Sequence, residues 1–142
     1  MSSLGRSLRL AASLGLVAGA AACMESTEPT PGPLPPGSWG GDHIQLTVAA
    51  DGATTNLDCA HGTIEQPIAT DRSGSFAAAG HHVFEHGGPV HLNDPPDSHP
   101  ARYQGRIVGD VMTLTITLTD TLQDVGTFSL TRNAAGRVVK CL

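Results

Sequence analysis

The stretch VMTLTITLT, residues 111–119, decides the fold. Met112, Leu114, Ile116 and Leu118 alternate with Thr113, Thr115, Thr117 and Thr119 without a break. Successive side chains of a strand point to opposite faces, whereas a helix collects positions three and four apart. A period of two with β-branched residues therefore predicts a half-buried strand, apolar on one face and threonine on the other. The threonine face reads as the solvated side of an antiparallel sheet.

The same period extends outward in both directions. GTFSLTR, residues 126–132, puts Phe128 and Leu130 inside. Asn133 to Gly136 reads as a turn into RVVKC, residues 137–141, where Val139 and Cys141 share a face. Upstream, IQLTV at 44–48 places Ile44, Leu46 and Val48 together, and Asp51-Gly52 behind it is a hairpin signal. TTNLDC at 54–59 aligns Thr55, Leu57 and Cys59 on one face. Asp71 to Gly74 is a second turn, and SFAAAGHHVFEH at 75–86 a further strand. GGPVHLNDPPDSHP, residues 87–100, reads as a long loop. The mature chain carries no helix-period segment and no internal repeat. Seven to eight short strands with turns between them predict an all-β domain over residues 38–142, an antiparallel meander closed as a β-barrel or packed as a β-sandwich.

The first 22 residues, MSSLGRSLRLAASLGLVAGAAA, are of another kind. Arg6 and Arg9 precede an apolar run from Leu10 to Ala22, too short for a membrane span, which needs about 20 residues. This is the layout of an export signal. Ala20-Ala21-Ala22-Cys23 resembles the lipobox of bacterial lipoproteins, with Ala20 standing where Leu is usual. The resemblance implies that Cys23 is lipidated and becomes the first residue, with the bilayer as a partner through its acyl chains. By the same family rule Met24, which is not Asp, does not retain the protein at the inner membrane. The implied location is the cell envelope, at the outer membrane, facing the periplasm or the surface. MESTEPTPGPLPPG at 24–37 has five prolines and reads as a semi-stiff tether.

Removal of the signal leaves six basic residues against thirteen acidic ones, a net charge of −7 with neutral histidines. A chain this acidic, with no basic patch, does not point to nucleic acid. In an exported protein the remaining cysteines, Cys59 and Cys141, are expected to pair. Their separation of 82 residues gives the bridge about 4–5 kcal/mol on the loop-entropy model.

Two constellations bear on function. Gly37-Ser38-Trp39 resembles the G-x-W start of lipocalins, avidin-type proteins and some small bacterial protease inhibitors. It implies a small barrel whose Trp39 closes one end beneath a basic side chain from a late strand, Arg132 or Arg137. The second is HVFEH, residues 82–86, which has the H-x-x-E-H order of a zinc protease motif. That motif works only on a helix. Here Gly80 precedes it and Gly87-Gly88-Pro89 follow, and in a strand His82 and His86 lie about 13 Å apart, beyond the reach of one ion. The motif therefore reads as chance. The histidines as a group (His81, His82, His86, His91 and His99) read as solvent-facing, with zinc or copper binding by two or three of them as the alternative. No nucleophile elbow or phosphate-cradling loop is present. The expected function is that of an envelope-anchored, non-enzymatic module binding a protein or a small ligand.

Overall fold

The structure is a computed structural model that describes residues 30–89, 91 and 93–142. The expected signal peptide, the expected lipidation site Cys23 and the first part of the expected tether lie outside the described residues. The described strands are β1 (Gly32–Pro33), β2 (Gly37–Gly41), β3 (Ile44–Val48), β4 (Ala53–Leu57), β5 (Ala60–Ile64), β6 (Ala69–Thr70), β7 (Ser75–Phe84), β8 (Asp97–Val108), β9 (Val111–Leu118) and β10 (Asp124–Arg132). Eight of them, β2 to β5 and β7 to β10, form a closed antiparallel barrel in which each strand pairs with its neighbour in sequence. The ring shuts where β10 pairs with β2, with Arg132 opposite Trp39. Closure leaves no open sheet edge in the barrel. Among the described residues there is no helix, so the all-β expectation holds and the choice between barrel and sandwich falls to the barrel.

Strand period sorts the side chains. Met112, Leu114, Ile116 and Leu118 of β9 are at most 1% exposed, while Thr113 and Thr119 lie in solvent. Ile44, Leu46 and Val48 of β3 join them inside, with Trp39, Tyr103 and Leu130. An eight-stranded barrel has an interior just wide enough for side chains to fill or to hold one small ligand, and these side chains form its packed part. The Asp51-Gly52 and Asp71–Gly74 turns form as expected, the latter with Gly74 at φ 76° and its amide donating to the Asp71 carbonyl.

The two barrel ends differ. At the Trp39 end, the segment before β2 folds back over the opening. Gly32 and Pro33 pair with Thr70 and Ala69, the Leu34 amide donates to the Ile68 carbonyl, and both Leu34 and Ile68 are buried. The domain therefore starts before Ser38, and the last residues of the expected tether belong to it. Proline-rich sequence concealed this, because a two-residue pairing and one buried leucine leave no periodic signal. The opposite end carries the turns and loops β2–β3, β4–β5, β7–β8 and β9–β10.

The C-terminal residues correct a second expectation. RVVKC is not a strand. Barrel closure offers it no free edge, so it pairs only through one parallel bridge, Asp42 with Arg137. Residues 133–142 instead form a strap along the outside of β2 and β3, from the Trp39 end to the far end. The Asn133 amide donates to the Ser38 carbonyl, the Gly136 amide to Gln45 Oε1, and the Arg137 amide to the Gly41 carbonyl. Gly40 makes room for it: a Cβ there would meet Ala134 and Gly136 backbone atoms at 2.4 Å. The strap ends at Cys141, which is bonded to Cys59 with Cα atoms 4.9 Å apart. The pairing is as expected, but the strand parity that sets Cys59 with Leu57 and Cys141 with Val139 predicts a buried bridge, and the setting differs. Cys59 sits in the β4–β5 turn at φ 51°, and the bridge lies at the surface, not in the core. The 87–100 loop is also shorter than expected, because β8 begins at Asp97.

Candidate ligand-binding site at the open end of the barrel

Inward positions along β7 are Phe76, Ala78, Gly80, His82 and Phe84. His82 is fully buried, and neither ring nitrogen has a hydrogen-bond partner among the described residues. The expectation of a solvent-facing His82 is overturned. The alternation that governs β9 governs β7 as well, and it carries His82 inward with Phe84, whose ring packs edge-on at 4.7 Å. An unsatisfied buried polar group costs about 1–3 kcal/mol, so the site holds a feature that folding alone does not reward.

Beneath His82 the floor is built from three strands. Gly62 of β5 lies directly opposite it. A Cβ at Gly62 would sit 2.0 Å from the Tyr103 hydroxyl and 2.6 Å from Thr55 Oγ1, so only glycine admits these two groups. The Tyr103 hydroxyl donates to the His81 carbonyl at 2.7 Å, and burial raises its pKa above the ordinary phenol value. Above His82 the barrel opens into a cavity of about 340 Å³, walled by Leu57, Ala60, Phe84, Val125 and Phe128. That volume falls at the lower end of the range for small-molecule sites.

The rim is polar and built from histidine–carboxylate pairs. His43 meets Asp58, His61 meets Glu85 at 2.8 Å, and His86 meets Asp97 at 3.3 Å. His99, which faces His82 across the β7–β8 ladder, is held by Asp120 at 2.7 Å and Asp97 at 3.1 Å. Lys140 of the strap reaches both Glu85 oxygens at 3.1 Å. These contacts set the charge states. The Val139 amide and the His43 ring hold the Asp58 carboxyl below its ordinary range, and His61 and Lys140 do the same for Glu85. Asp120 and Asp97 raise His99. His82 moves the other way: burial lowers its pKa, and positive charge on His61 and His99 adds to the effect. It is therefore the neutral imidazole inside a ring of pairs.

The other histidines do not converge. His81, one residue from His82, points out of the barrel because the pleat throws neighbours to opposite faces. His86 and His91 lie exposed in or beside the β7–β8 loop, and His99 spends its nitrogens on carboxylates. Among the described residues no three His, Cys, Asp or Glu side chains group as a metal ion would require. At the far end, Arg132 takes the role expected of Arg132 or Arg137. Its guanidinium lies 4.3 Å from the Trp39 ring centroid, and its Nε donates to Asp110. Arg137 is on the strap, paired with Asp42.

Fold and site together define a small up-and-down β-barrel with one end closed by Trp39 and Leu34 and the other opening onto a buried, unpartnered histidine. Comparison of the chain with protein-family models, with curated proteins and with solved structures found no match.

Proposed function

We propose that the protein is an envelope-anchored lipoprotein whose barrel is a non-enzymatic binding module, taking a small ligand into the open end around His82. The observation that carries this reading is the pair of orphan nitrogens on a fully buried imidazole lining an apolar cavity. A buried polar group without a partner is a place where a ligand gains what the fold leaves unmade. The chain enters the barrel at the Trp39 end through Leu34. An anchor at Cys23 would thus join the barrel at the end opposite the cavity.

Native mass spectrometry of the full chain, purified from the envelope without chelators, tests the binding reading. A bound organic mass is expected. A bare protein, or one carrying only a metal that EDTA removes, would overturn it. The anchor has a separate test. Cys23→Ser should move the protein from the membrane fraction to the soluble fraction, and a variant that stays with the membrane would end the lipoprotein reading.

A further inference from the structure

We propose that the open end selects an uncharged compound with an apolar body and a hydroxyl group, an alcohol or a phenol, whose hydroxyl hydrogen-bonds to His82. This rests on the binding reading above and narrows it to a class of ligand. Three features of the site lead there.

The walls come first. Leu57, Phe84, Val125 and Phe128 present hydrocarbon and aromatic faces, and no lysine or arginine is among the cavity's lining residues. An apolar body gains by leaving water there. Charge comes second. The groups facing the opening from each element around it are His43 and Asp58, His61 and Glu85, His86 and Asp97, His99 and Asp120, and Lys140 from the strap. With charge on His61 and His99, four carboxylates still outnumber three cations, and each cation is already paired with one of them, so an anion finds no free partner at the entrance. A cation is drawn to the rim but fails at depth. The surroundings that keep the His82 imidazole neutral by withholding water would tax an ammonium group in the same way.

The orphan itself comes third. A neutral imidazole has one donor nitrogen and one acceptor nitrogen. A hydroxyl can turn to donate or to accept, so it suits either nitrogen once the ligand parts the side chains that close both off from solvent. A ligand without such a group leaves His82 unpaired.

Four ligands of one size separate the classes: 2-phenylethanol, ethylbenzene, 2-phenylethylamine and phenylacetate, titrated into the full chain by calorimetry. The alcohol is expected to bind about tenfold tighter than ethylbenzene, the value of one hydrogen bond to a buried group, and tighter than either ion by at least as much. Its binding should also shift a ring-nitrogen resonance of His82. In His82→Leu the advantage of the alcohol over ethylbenzene should vanish while ethylbenzene still binds. Should that variant fail to fold, the four ligands on the unaltered protein still decide. Equal or tighter binding of an ion overturns the ligand class, as does an ethylbenzene affinity equal to that of the alcohol. The binding reading survives both results. Silence from all four compounds also overturns the ligand class, and the native mass then judges the binding reading alone.

Discussion

Trp39→Ala is expected to destabilise the barrel by about 3–5 kcal/mol, the usual cost of emptying a fully buried tryptophan site. Trp39 is 0% exposed, and it works at the weakest seam of the ring. β10 meets β2 through three register pairs, the fewest of any two neighbouring barrel strands, and Trp39–Arg132 is the last of them. The indole therefore fills the core and fastens the join between the first and last barrel strands. Arg132 lies over its face and is tied to Asp110 by side chain and backbone. A partly exposed cation–π contact is worth about 0.5–1 kcal/mol, so Arg132→Ala should cost about 1 kcal/mol. A double-mutant cycle should return a coupling of that size. Domains of this size are stable by about 5–15 kcal/mol, which leaves Trp39→Ala measurably folded or close to the edge. Urea denaturation gives the number. A loss under about 1 kcal/mol would mean that Trp39 does not pack as described. A coupling of zero would mean that Arg132 contributes nothing through the indole.

The parts of this molecule that are legible in sequence are those where one physical rule acts alone. In β9 the alternation of Met112 to Thr119 meets no competing signal, and inside and outside come out residue by residue. The contact of Trp39 with Arg132 or Arg137 is legible only through the resemblance of Gly37-Ser38-Trp39 to G-x-W barrels, and the closing register, which sets Arg132 opposite Trp39, decides between the two. At His82 two rules conflict: a polar residue type points outward, strand parity points inward, and parity wins. Its neighbours on the same parity, Phe76, Ala78 and Phe84, mark the inward face, and the chance H-x-x-E-H spacing masks that parity. Other features leave little local signal. β1 and β6 are two residues each. The strap has the composition of a strand, and only closure of the barrel, a property of the whole topology, denies it an edge. The cavity walls come from Leu57, Phe84, Val125 and Phe128, which lie on three different strands and are brought together only by the ring.

That same topology gives the Cys59–Cys141 bridge its leverage. The barrel ladder ends at Arg132, and the last ten residues are held by a few hydrogen bonds along β2 and β3 and then by the disulfide. Replacing both cysteines by serine should cost about 2–5 kcal/mol, with the loop-entropy model near the top of that range for a separation of 82 residues. At roughly 4 °C per kcal/mol for a domain of this length, the melting temperature should fall by about 10–20 °C. The location of the loss separates two mechanisms. If the bridge acts through the unfolded chain, amides across the barrel should lose protection together, in proportion to the global change. If it acts by holding the strap, the amides of Asn133, Gly136, Arg137 and Val139 should exchange fast in the serine variant at a temperature where β7, β8 and β9 stay protected. The strap also carries Lys140 to Glu85 and the Val139 amide to Asp58 at the cavity rim. Its release should thus widen the mouth around His82 and weaken ligand binding, with the barrel itself intact. A serine variant that melts within about 2 °C of the unaltered protein, with unchanged exchange along the strap, would show that the bridge neither closes the chain nor holds the strap. Peptide mapping without reductant should find Cys59 linked to Cys141, and free thiols at both positions would rule out the bridge directly.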